Sequence, residues 1–338
     1  MNPHTRSIGP FQVCPIGLGC MTLSHAYGTP PSAAEGEALL RRALDLGVTL
    51  FDTAALYGFG ANELLVGRVL KAHRSRITLC SKGGMAGVTG GDGLTRRVID
   101  GRPEAVRRNL EDSLRRLGTD HIDLYYLHRW DKAVPIEDSV GEMARLVGEG
   151  KIGAIGLSEV SAPLIRRAHA VHPVAAVQTE YSLWTRNPEI AVLATCHEIG
   201  AAFVAFSPLA RAFLTDTLHD LSTLADKDIR RTMPRFAPEA YARNLQLLPP
   251  FVALSREAGC TPAQLALAWL LGRGEHVVVI PGTSRVAHLE ENMGASRVTL
   301  PAGVAARLDA LIHQGNVSGP RYNPAAQADV DTEDFDGG

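Results

Sequence analysis

The sequence predicts a single (β/α)8 TIM barrel of the α/β class, and three observations carry that reading. Eight short apolar runs alternate with longer helix-patterned stretches from Pro15 almost to Leu311, the rhythm of parallel strands joined by crossover helices. Most of these runs are apolar without a break, as strands covered on both faces are. The chain has 338 residues, 45% of them hydrophobic, enough for one large barrel without a second domain.

The elements follow in order. The first run, Ile16–Cys20, contains Gly17-Leu18-Gly19, which lacks the third glycine and the immediate helix of a dinucleotide fingerprint and reads as a strand ending in a tight turn. A helix is expected near Ala33–Leu46, then a strand at Thr49–Asp52, a helix at Asn62–Ala72 and a third strand at Ile77–Ser81. Pro103–Leu117 carries the clearest helical signal. Val106, Leu110, Leu114 and Leu117 recur at three and four residues, Pro103 suits a first turn and Gly118 an exit. Strand and helix then alternate as Ile122–Leu127 with Ser139–Glu149, Ile152–Leu157 with Ala162–Ala170, and Ala175–Thr179 with Pro188–Ile199. Ala202–Phe206 pairs with Leu245–Ala258, and Val277–Ile280 with Arg285–Met293.

Two stretches stand outside this rhythm. Arg211–Pro238 is a long insertion after the seventh strand, of the kind that often serves as a lid. After the helix-like Ala302–His313, the segment Gln314–Gly338 is polar and ends in the acidic Asp329–Asp336. Residues 1–313 are therefore expected to form the barrel, and residues 314–338 a partly disordered tail.

Composition excludes several functions. Lys plus Arg number 34 against 36 Asp plus Glu, a formal net charge of -2, so no single-sign field is present to hold nucleic acid or an anionic membrane. Cys14, Cys20, Cys80, Cys196 and Cys260 are scattered and odd in number, with no C-x-x-C pair, which argues against a disulfide scaffold or a structural zinc. His169 and His172 have no nearby carboxylate or thiol, so no metal is expected there. The start lacks an apolar signal region and no run is long enough to span a membrane; a cytoplasmic protein with reduced thiols is expected.

In a barrel the chemistry lies at the carboxyl ends of the strands. Here those ends are polar: Asp52 and Tyr57 after the second strand, Lys82 after the third, His128 after the fourth. Singly, each has an ordinary structural reading as turn residue, surface aromatic, solvated lysine or core histidine. Jointly they form a catalytic set. A Lys ammonium beside Tyr57 is expected to lower the phenol below its ordinary pKa of about 10. Asp52 is placed to hold Lys82, and His128 to direct a substrate carbonyl toward Tyr57.

The stretches Thr49–Leu70, Ser113–His128 and Ile280–Asn292 resemble the three signature regions of the aldo-keto reductase superfamily, and the likeness runs from about Val13 to Leu311. The resemblance implies a carbonyl reductase using NADP(H), with Tyr57 as general acid, Lys82 and Asp52 tuning it, and His128 orienting a small carbonyl substrate beside Arg129 and Trp130. It implies that Ser158 and Gln178 bind the nicotinamide amide and that Phe206 stacks on its ring. Further cofactor contacts are implied from Gly19, Met21, Asp52, Ser207, Leu209, Arg211, Glu291 and Asn292.

Two departures stand out. Glu159 follows Ser158 where the family commonly has Asn. Gly282 and His288 replace the Lys and Arg that many members use on the adenosine phosphate, so this chain is similar to the branch reading P-G-T-x-R. There Gly282, Thr283, Ser284 and Arg285 at a helix start become the candidate phosphate site. Two rival functions remain open: a Schiff-base aldolase using Lys82, and a cofactor-sensing subunit acting through partners, toward which an acidic flexible tail would point. The pocket loops hold Trp130, Trp184 and Phe213, which favour an apolar carbonyl compound, and Arg129 and Arg211, which favour an anionic one.

Overall fold

The computed structural model describes residues 5–24 and 26–335. Eight parallel strands form the barrel wall: β1 (Leu18–Gly19), β2 (Leu50–Asp52), β3 (Thr78–Gly83), β4 (Ile122–Leu127), β5 (Ile152–Ser158), β6 (Val174–Glu180), β7 (Ala202–Phe206) and β8 (Val277–Val279). Each pairs with its neighbours in sequence. Parallel bridges from Ile16 to Val279 and from Gly19 to Gly282 join the last strand to the first and close the ring. Gly19 is required at this seam, because a Cβ there would lie 2.8 Å from the Ile280 carbonyl oxygen.

The outer helices are α1 (Ala33–Asp45), α2 (Ala61–Leu70), α3 (Pro103–Leu117), α4 (Ile136–Gly148), α5 (Ala162–Val171), α6 (Val192–Ile199), α7 (Pro238–Leu245), α8 (Leu248–Glu257), α9 (Pro262–Leu271), α10 (Val286–Gly294), α11 (Val304–Leu311) and α12 (Pro324–Ala328). The helix expected at Leu245–Ala258 is α8, with Pro249 and Pro250 in its first turn, where their missing N–H groups cost nothing; α7 is a separate helix before it that the pattern did not mark. α9 is apolar on nearly every side and nearly all buried, so it offers no amphipathic stripe to read.

Two hairpins close the ends. Arg6–Ile8 pairs antiparallel with Phe11–Val13, and Ile8 and Val13 join Leu50, Leu124, Tyr126 and Val278 inside the barrel as its floor. Arg6 anchors this hairpin through bonds to the Val277 and Leu271 carbonyls. At the other end Met85–Thr89 pairs with Thr95–Ile99, so Asp92, Arg96 and Arg97 lie in a hairpin. Cys14, Cys20, Cys80 and Cys196 are buried free thiols and Cys260 is half-buried. Among the described residues no helix is long and apolar enough to cross a membrane.

The expectation of a partly disordered tail is corrected over its described residues. Residues 314–335 lie against the barrel mouth: Arg321, Val330 and Thr332 are buried, Asp331 accepts from Ser161 N and Oγ, and Glu333 accepts from Ala162 N. These acids bond the start of α5, whose N-terminal amides lack helical partners.

Candidate active site

Asp52, Tyr57, Lys82 and His128 converge at the mouth because each lies at or just beyond the end of β2, β3 or β4. Lys82 is 0% exposed, a position an ammonium occupies only when every proton has an acceptor. Its Nζ bonds Asp52 Oδ1, donates to the Thr53 carbonyl at 2.9 Å and donates to the Tyr57 hydroxyl at 3.2 Å. Asp52 is held on its other side by Gln178 Nε2 at 2.8 Å. Burial alone would lower the Lys82 pKa, but Asp52 and Tyr57 raise it above its ordinary value.

The expected lowering of the Tyr57 pKa is not met. Burial raises the phenol, the nearby Lys82 ammonium offsets only part of that, and the Asp52 charge raises it further. Tyr57 is thus a protonated phenol at neutral pH. His128 stands edge-on to it, ring centroids 5.9 Å apart. Burial, followed by the charges of Arg129, Lys82 and Arg97, holds the imidazole well below its ordinary pKa, so it is neutral. Its Nδ1 is buried without a protein partner.

The candidate cofactor residues divide into three places. Ser158 and Gln178 sit side by side at the ends of β5 and β6, and Ser158 Oγ accepts from Arg129 Nη1 at 3.2 Å. Phe206 ends β7 with its ring half-exposed, followed by a loop in which Ser207, Ala210, Arg211 and Ala212 take left-handed backbone angles. Across the seam, Gly19 and Gly282 lie backbone to backbone, with the buried Thr22 hydroxyl beside them lacking a partner and Met21 half-buried next in the chain. Thr283 Oγ1 accepts from Arg285 N at 3.0 Å, which turns the chain into α10. Ser284 and Arg285 are exposed there, and Glu291 and Asn292 lie further along that helix. Among the described residues Arg285 has no acidic partner. Orphaned polar groups at Thr22 and His128, a seam without side chains and an unpaired guanidinium at a helix start fit NADP(H) laid across the mouth.

Other expectations change. Trp184 is 1% exposed and stacks on Phe213 at 4.3 Å, so both are core and not pocket wall. Arg211 is spent on Glu180 Oε2 at 2.7 Å and on the Tyr27 hydroxyl at 2.9 Å. Trp130 donates its indole N–H to the Val134 carbonyl at 2.9 Å. Sequence reading missed Glu180 and Arg321. The signal available was Glu159 itself, since an acid at an apolar strand end demands a cation.

The chain matches the model of the Aldo/keto reductase family over residues 15–313. It is 42% identical over 313 residues to the probable aldo-keto reductase 1 of Glycine max, covering 92% of this chain and 89% of that one. Its fold is similar to that of a glycerol dehydrogenase from Gluconobacter oxydans, with a TM-score of 0.85, 27% identity and coverage of 96% and 99% of the two chains. An aldo/keto reductase from Klebsiella pneumoniae, solved with NADP and acetate, gives a TM-score of 0.71 at 26% identity over 98% of this chain and 100% of that one.

Proposed function

Because the chain belongs to the aldo/keto reductase family and is an NADP-dependent oxidoreductase, we propose that it reduces an aldehyde or ketone to the alcohol with Tyr57 as proton donor. One observation carries this reading: the Tyr57 oxygen receives its hydrogen bond from Lys82, which leaves the phenol proton unengaged by that pair. NADPH, when bound, supplies the hydride. A substrate carbonyl lodged between Tyr57 and neutral His128 is oriented by both; as negative charge develops on its oxygen, Tyr57 gives up its proton and Lys82 stabilises the phenolate. Ser158, Gln178 and Phe206 hold the nicotinamide end, and Arg285 with the start of α10 holds the phosphate end.

Arg129 sets the substrate class in this reading. It is half-buried, bonds only the His128 carbonyl and Ser158 Oγ, and has no acid within ion-pair distance among the described residues. An unneutralised guanidinium beside the reacting groups favours a carbonyl compound bearing a carboxylate or phosphate. The aldolase reading loses ground, because all three Lys82 N–H groups are bonded and none is free as a nucleophilic amine. The partner-subunit reading loses its flexible tail.

The test is a panel of aldehydes and ketones, neutral and carboxylated, followed at the NADPH absorbance band with wild type and Tyr57→Phe. Tyr57→Phe is expected to bind NADPH as wild type does and to lose about 10²–10⁴-fold in kcat. Near-wild-type turnover by that variant removes Tyr57 from the role of acid.

A further inference from the structure

Glu159 and Glu180 stand at the ends of β5 and β6 and are 1% and 2% exposed. Buried carboxylates require cations, and neither strand supplies one. Arg321, from the segment after the barrel's last helix, donates from Nη1 to Glu159 Oε2 at 2.9 Å, bonds Glu159 Oε1 through Nη2, and reaches Glu180 Oε2 through Nε at 3.4 Å. Thr332 donates to Glu159 Oε2 at 2.9 Å, and Tyr322 to Glu180 Oε2 at 3.0 Å.

Glu159 also has a backbone φ of +56°, a left-handed conformation that a non-glycine residue holds only when its surroundings enforce it. Its N–H donates to the Gln178 carbonyl at 3.0 Å, and its Oε1 accepts from Glu180 N at 2.9 Å. One residue therefore laces β5 to β6 in both directions. Ser158 precedes it directly, and Gln178 is the residue it bonds. From Gln178 the contacts continue to Asp52, Lys82 and Tyr57.

We propose that Arg321 is a positioning residue of the cofactor-facing wall: by clamping the Glu159 and Glu180 carboxylates it fixes Ser158 and Gln178, and so allows Glu159 to stand at this strand end. It touches no reacting atom and acts through Glu159. The proposal rests on the reading above that NADPH binds at these strand ends.

The test measures NADPH dissociation constants by fluorescence quenching at pH 6 and pH 8, with kcat and melting curves, for wild type, Arg321→Met, Arg321→Lys and Arg321→Met/Glu159→Gln. Arg321→Met leaves Glu159 facing Thr332 and a Glu180 that keeps its bond to Arg211 with Arg235 nearby, and leaves Arg129 as the remaining cation acting on Glu159. NADPH binding is expected to weaken roughly tenfold or more at pH 8 and to recover at pH 6, as the stranded carboxyl takes up a proton, whereas wild type changes little between the two. The double variant, with no charge to strand, is expected to bind within about threefold of wild type at both pH values. Arg321→Lys keeps the charge and loses the fork, so its loss is smaller and flat with pH; it and the double variant carry the test should Arg321→Met melt near assay temperature. Wild-type affinity in Arg321→Met, no rescue in the double variant, or a pH slope in Arg321→Lys equal to that of the Met variant overturns the proposal while leaving the reductase reading intact. Absence of NADPH binding by the wild type overturns both.

Discussion

Lys82 determines what its neighbours can do, because its three protons are divided among a carboxylate, a carbonyl and a phenol. Replacing it with Met removes the influence that holds Tyr57 down against burial. With Tyr57 as the proposed proton donor, alcohol oxidation would use it as a phenolate, so the rise of kcat with pH is expected to move to higher pH in Lys82→Met; an unshifted pH profile would count against the pairing. At the opposite end of the proposed cofactor site Arg285 is the only residue of the Gly282–Arg285 turn bearing a full charge. A charge-assisted bond is worth about 1.5–3 kcal/mol, so Arg285→Ala is expected to raise the NADPH dissociation constant about ten- to hundredfold and to leave NADH nearly unaffected. Equal losses for both cofactors, read by fluorescence titration, would make Arg285 a support of the turn. These residues were legible in the sequence because each terminates an apolar run or opens a helix. Arg321 was not, since nothing near it in sequence marks its partner 162 positions away.

Among the elements, legibility followed pattern. α3 announces itself with an apolar stripe, a proline at its start and a left-handed Gly118 at its exit. α9 has no stripe, yet its start was written plainly: Thr261 Oγ1 accepts from Gln264 N at 3.2 Å and Gln264 Oε1 accepts from Thr261 N at 3.2 Å, a reciprocal cap. Thr261→Ala is expected to cost about 1 kcal/mol, some 1–4 °C in melting temperature by calorimetry. A larger loss would mean that Thr261 also packs. The Met85–Ile99 hairpin escaped notice because most of its residues are exposed, Val88 and Val98 among them, and two strands without a buried face leave no apolar alternation to read.

For the molecule as a whole, the barrel follows from the apolar rhythm, while its mouth depends on charges that pair across long stretches of chain. These charges also set its response to acid. Burial opposes ionisation of Glu180, but Arg211, Arg321 and Arg235 bring its pKa down from an ordinary 4.5 to about 2, and Glu159 is lowered in the same sense by Arg321 against its burial. Depressed carboxylates contribute stability that is fully present above their unfolded values and is lost as pH falls through the folded ones. The urea midpoint is thus expected to drop as pH falls from about 4.5 toward 2, and to drop less in the Arg321→Met/Glu159→Gln variant. Equal drops in the two proteins would place the acid sensitivity elsewhere.

The clamp on Glu159 also has a place in time. A ribosome that has just added Glu159 must add 162 more residues before Arg321 exists, roughly 8–30 s at typical synthesis rates of about 5–20 residues per second. Throughout that interval Glu159 has no Arg321 to bury it, while Glu180 can already meet Arg211, so the end of β5 stays hydrated while the segments already made can collapse. The pocket is therefore finished after the wall that carries it, and a nascent chain stalled short of Arg321 presents an open, wet mouth to chaperones and proteases.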